Sequence, residues 1–170
     1  MADITSGRVR TDDNLQGGVQ EIYFFNYLDD AFTVAANVAT AMNAGLTAAY
    51  KYVIQGDGNT LQESAISDKK IGTKLNTQTL VAQLKQINSA TNVQLDLMLE
   101  GQNSAVIKDW NNQYRWIAPN GFNVTSTAES VTGGTRTDFN GYNVTLISET
   151  KDLAPILDSS TVTAFLAVVS

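Results

Sequence analysis

Residues 74–87 read KLNTQTLVAQLKQI, and the fold turns on how this stretch is read. Leu75, Thr77, Thr79 and Val81 share one parity, while Leu80, Ala82 and Leu84 share the other. Branched residues at every second position suit a pleated strand, whose side chains point alternately to opposite faces. A strand this long needs partners, and the flanking sequence offers them. AYKYVIQ (49–55) alternates and stops at the turn-rich GDGN (56–59); TLQESAIS (60–67) follows as its expected hairpin partner. Further upstream, VQEIYFFNYL (19–28) is dense in aromatic and β-branched residues between Gly17-Gly18 and Asp29-Asp30, and reads as a strand. FTVAANVATAMNAG (32–45) has alanines that suit a helix but no clean apolar face, so its state stays open.

Downstream, NSATNVQLDLMLEG (88–101) sets two rules against each other. Val93, Leu95, Leu97 and Leu99 alternate as in a strand. Yet Ser89 and Thr91 offer N-caps, Thr91 with Gln94 resembles a capping box, and Gly101 suits the position after a helix. Leucine and methionine favour helix, so a helix is expected over residues 89–100. SAVIKDWNNQYRWIA (104–118) reads as two strands around Asn111-Asn112, because asparagine tolerates the positive φ of a tight turn. Asn120-Gly121 leads into FNVTST, Asn140-Gly141 leads into YNVTLISET, and residues 161–169 read as a last strand. The expected fold is mainly β: an antiparallel β-sandwich or barrel of roughly eight or nine strands with one flanking α-helix. It occupies residues 17–170 as a single domain, behind an extended, mixed polar arm at residues 1–16.

At 170 residues with 43 % hydrophobic content, the chain can bury one sizeable core. No run is long and apolar enough to cross a bilayer as a helix, so no membrane role is expected. The first residues contain no apolar segment of the secretory kind, which predicts folding in a cytoplasm; the absence of cysteine agrees. There is no histidine either, which removes the commonest acid–base group near neutral pH and the commonest metal ligand. Lys plus Arg number 11 against 17 Asp plus Glu, a net charge of −6 without a basic patch for gripping nucleic acid.

Several local patterns have the residue types of a site. Trp110, Tyr114 and Trp116 fit cross-strand packing around one hairpin better than a sugar-stacking platform. GDGNTLQE (56–63) places Asp57, Asn59 and Glu63 as in the start of a calcium loop, but lacks the later glutamate. Serines have no histidine to activate them, and VTGGTRTD (131–138) lacks the lysine of a phosphate loop. No catalytic residue, metal site or cofactor is expected, and the chain reads as a non-enzyme.

Four stretches carry a resemblance: SGRVRTDDNLQGGVQEIYF (6–24), KLNTQTLVAQLKQI (74–87), VIKDWNNQYRWIAPNGFNVTS (106–126) and DFNGYNVTLISETKDLAPIL (138–157). Together they resemble structural proteins of tailed bacteriophages, most of all the tail tube (major tail) proteins. The resemblance implies a virion protein assembled in the host cytoplasm, whose β-sandwich subunits form rings, commonly six-fold, that stack into a hollow tail tube. It implies other tail or neck proteins as partners, and DNA that passes through the lumen without specific binding. It also implies an arm or terminal extension that ties subunits together. On this basis Val9 and Arg10 of the arm, with Phe165, Leu166 and Val168 of the apolar C-terminal stretch, are the candidate inter-subunit contacts. The short loop after Asn59 departs from the long inner-hairpin loop of many tube proteins. Alternatives are a tail terminator, neck or head decoration protein, or a carbohydrate-binding β-sandwich module.

Overall fold

A computed structural model describes residues 4–10, 14–54 and 56–170. Eleven strands and two helices order the described residues. The strands are β1 (Val19–Asn26), β2 (Phe32–Ala35), β3 (Val38–Met42), β4 (Tyr50–Val53), β5 (Thr60–Asp68), β6 (Thr73–Lys85), β7 (Asn103–Asp109), β8 (Tyr114–Ile117), β9 (Thr127–Val131), β10 (Gly141–Thr150) and β11 (Ile156–Leu157). The helices are α1 (Ser89–Glu100) and α2 (Ser159–Leu166). Two sheets result, one of seven strands in the order β2-β3-β11-β8-β7-β1-β4 and one of four in the order β5-β6-β10-β9. Apart from the parallel β11–β3 pair, neighbouring strands run antiparallel. The expected mainly-β sandwich with α1 on its flank is what the chain forms.

The long reading of residues 74–87 holds as β6, the spine of the smaller sheet. Its even residues Asn76, Gln78, Leu80 and Ala82 are buried, and its odd residues face outward. Leu80 and Ala82 meet Val144 and Leu146 of β10 and Ile22, Phe24 and Ile107 of the larger sheet in a core between the sheets. The central strands of the larger sheet are buried on both faces. On its far side Tyr23, Phe25, Val106 and Trp116 pack against Phe32, Leu157 and Phe165. That explains the unbroken apolar run Ile22-Tyr23-Phe24-Phe25 in β1, because a strand covered on both faces loses the polar alternation.

Three local expectations are corrected. Residues 161–169 are not a strand: α2 occupies most of them. Asp158 caps it, its side chain accepting from Thr161 N at 2.7 Å, and Thr161 and Phe165, one helical turn apart, are the residues it buries. Only the last residues pair in an extended form, just before β4, through a parallel bridge of Val169 with Ala49 and a bond from Ser170 N to Ala49 O of 2.8 Å. Nor are β4 and β5 a hairpin, since β4 pairs with β1 and β5 with β6. The glycine-rich turn between them carries the chain from one sheet to the other, with Gly56 and Gly58 at positive φ. Asn59 fastens it, donating to Gly56 O at 3.0 Å and accepting from Gln83 N at 2.7 Å. Third, FNVTST forms no strand before Thr127; Asn123 instead clamps the backbone of Glu149 through its side chain.

The open segment 32–45 resolves as the β2–β3 hairpin, whose two turn residues Ala36 and Asn37 both have positive φ. The Asn111-Asn112 turn is confirmed, with Asn112 at φ 59. The cap of α1 is Asn88, which accepts from Thr91 N at 2.7 Å, rather than Ser89 or Thr91. Gly101 ends the helix in an extended conformation, bonded to Leu97 O, rather than left-handed.

Candidate functional site

The two sheets treat their margins differently. In the larger one β2 is a four-residue edge, and the start of β4 is covered by the chain end, Lys51 N donating to Ser170 O at 3.3 Å. In the smaller one both margins, β5 and β9, pair on one side only among the described residues, and β5 runs for nine residues. An uncovered edge of that length presents a row of backbone donors and acceptors to another strand.

Register fixes what the outer face of this sheet carries. Thr60, Gln62, Ser64 and Ile66 of β5 lie opposite Val81, Thr79, Thr77 and Leu75 of β6. Beyond them come Asn143, Thr145, Ile147 and Glu149 of β10, then Thr127 and Glu129 of β9. The face is therefore hydroxyl- and amide-rich, with exposed Glu129 and Glu149 and one exposed lysine, Lys85. At its distal end the cross-strand pair Ile66 and Leu75 is solvent-exposed, Ile66 by 66 %, with exposed Ile71 at the hairpin tip.

The inner side of the same hairpin is held by a polar network. Glu63 Oε1 accepts from Asn76 Nδ2 at 3.1 Å, Gln78 Nε2 at 2.9 Å and Ala154 N at 2.8 Å. Gln78 Oε1 accepts from Ala118 N at 2.9 Å. One end of the four-stranded sheet is thus tied to the segments flanking β8 and β11 by hydrogen bonds as well as by apolar burial. At the surface, Lys74 pairs with Asp152 at 2.8 Å, and that donated bond holds the Asp152 carboxyl below its ordinary range.

The candidate contact residues fall apart into different settings. Phe165 is 0 % exposed, with its ring 5.6 Å from Tyr23 and 5.9 Å from Phe32, so it serves its own core and is withdrawn from the surface set. Leu166 is exposed on α2, and Val168 is half-buried beside Ala49. Val9 is 83 % exposed and Arg10 is exposed, on a stretch without helix or strand; residues 1–3 and 11–13 of the expected arm lie outside the described residues. The aromatic trio is likewise split. Trp116 is 5 % exposed and packs 5.2 Å from Phe32, whereas Trp110 is half-exposed beside Gly18, so the two form no common platform. Among the described residues no group of three acidic side chains could hold a metal ion; Asn59 and Glu63 of the calcium-like stretch are committed to hydrogen bonds.

Sequence reading missed the open β5 edge and the exposed Ile66–Leu75 pair. The pair was legible only once the register of β5 against β6 was known. Comparison of the chain with protein-family models, with curated proteins and with solved structures finds no match.

Proposed function

We propose that this chain is a virion structural subunit whose four-stranded sheet is continued by neighbouring copies, forming rings that stack into a hollow tail tube for DNA passage. The observation that carries this reading is the pairing of two open edges, β5 and β9, with one polar, weakly acidic outer face. Edge-to-edge joining of β5 to a neighbour's β9 is a head-to-tail contact, and such a contact closes into a ring when its rotation closes. The outer face then lines the lumen. Threonine, serine and amide side chains wet it, and Glu129 and Glu149 repel phosphate, so DNA is not arrested. The motif resemblance to tail tube proteins supplies the virion setting, and the exposed Ile66, Ile71 and Leu75 supply apolar contact where copies meet.

Negative-stain electron microscopy of the purified chain over a concentration series tests the reading. Stacked rings or hollow tubes are expected. Isolated rings that never stack would move the assignment to a terminator or neck component, and a chain that stays monomeric at every concentration would overturn it.

A further inference from the structure

The seven-stranded sheet extends past the cover of the smaller one at its β4 margin. Tyr50 lies opposite Phe24 in register, yet Tyr50 is 51 % exposed where Phe24 is buried. Tyr50 and Tyr52 share this face with Phe24 and Asn26, because both strands alternate and the register is fixed. Helix α1 forms the facing wall with Gln94, Leu97 and Met98, and the turn into β7 closes one end. The result is an open groove of about 780 Å³ lined by aromatic and amide side chains together with Leu97 and Met98, with no charged residue among those that line it.

We propose that this groove binds a neutral oligosaccharide. Tyrosine rings offer apolar faces to the C–H faces of sugar rings and hydroxyls at their edges. Amides supply a donor and an acceptor each, matching sugar hydroxyls; Asn26, Gln94 and Gln102 stand exposed at the groove. Tyr52 is fixed edge-on against Phe24, with ring centroids 5.1 Å apart and planes at 90°, so one platform is ordered before a ligand arrives. Residues two apart on a strand are spaced about 6.8 Å, which lets Tyr50 and Tyr52 meet successive parts of an extended chain of sugars. The uncharged lining gives phosphates, nucleotides and uronic acids no cation to pair with. The inference concerns a different surface from the β5 and β9 edges and holds whether or not copies assemble.

Saturation-transfer difference NMR, which reads the ligand and works for single chains and large particles alike, tests it on the full chain. The probes are cellohexaose, maltohexaose and chitohexaose, with hexagalacturonate as the anionic counterpart. At least one neutral probe is expected to receive saturation on its ring protons, with a Kd of about 1 mM. Tyr50→Ala is expected to weaken that binding about 5- to 10-fold, the scale of one lost aromatic contact. Gln94→Ala, at an exposed helix position, is expected to weaken it less while leaving the fold intact. No transfer to any neutral hexamer, equal transfer to hexagalacturonate, or unchanged binding by Tyr50→Ala would each overturn the proposal. Displacement of the sugar signal by an apolar peptide but by no second sugar would reassign the groove to a protein partner.

Discussion

The larger sheet spends its surface on its own core, while the smaller sheet keeps half of its surface outward. In the seven-stranded sheet the central strands are buried on both faces, one edge is short, and the other is partly covered by the chain end. In the four-stranded sheet one face is buried, and among the described residues both edges pair on one side only. The difference separates two jobs within one sandwich. In the assembly proposed above, the larger sheet would make the subunit stable and the smaller one would make it available to neighbours.

The largest expected effect falls on the larger sheet. Phe165→Ala removes a ring packed among Tyr23, Phe25 and Phe32, and is expected to cost about 3–5 kcal/mol of folding stability. Urea unfolding checks it; a loss below about 1 kcal/mol would mean that α2 is not integral to the core. Next comes the polar network between the two regions. Gln78→Ala strands Ala118 N–H and removes one of the donors to Glu63, for an expected loss of about 1–3 kcal/mol. A neutral result in the same assay would show that the polar network does not couple the sheets.

On the outer hairpin the expectation reverses. Ile66→Lys with Leu75→Glu replaces an exposed cross-strand apolar pair by an opposite-charge one, so stability should stay within about 0.5 kcal/mol while particles cease to form in sedimentation. Particles that form normally would remove these side chains from the contact. The smallest effect is electrostatic. Asp152, held down by the Lys74 bond, and Asp158, held down by the backbone N–H of Thr161, have folded pKa values below the ordinary 3.8. The unfolded chain therefore takes up these protons first as pH falls. Their stabilisation is full above the ordinary value and is lost as pH drops through the folded values. Asp152 is exposed and Asp158 partly so, so the expected result is a shallow decline in the unfolding midpoint below about pH 5, with no contribution from these two groups between there and neutrality. A decline already present at pH 6 would point to another group.

Much of this was legible in the sequence where local chemistry and tertiary structure agree. The alternation in residues 74–87, the positive φ allowed by Asn112 and the helix formers of α1 all act over a few residues. The rest failed for identifiable reasons. Branched and aromatic residues after Thr161 favour a strand by propensity, but the Asp158 cap and the turn-spaced burial of Thr161 and Phe165 decide for helix. Ala36 at positive φ gives no turn signal, which left the β2–β3 hairpin unread. Two strands beside a glycine-rich turn look alike whether the turn closes a hairpin or crosses between sheets, and only pairing separates β4 from β5. For the candidate contacts, sequence located the apolar chain end but not that Phe165 turns inward, because burial of one residue depends on partners far along the chain.

The central claim is that the edges of the smaller sheet are where copies join. Hydrogen exchange of the backbone amides, measured on dilute and concentrated protein, tests it most directly. Protection is expected to rise with concentration in β5, Thr60–Asp68, and β9, Thr127–Val131, while the β2 edge, Phe32–Ala35, is unchanged. Exchange in β5 and β9 that is indifferent to concentration, or protection that gathers on β2 instead, would contradict it.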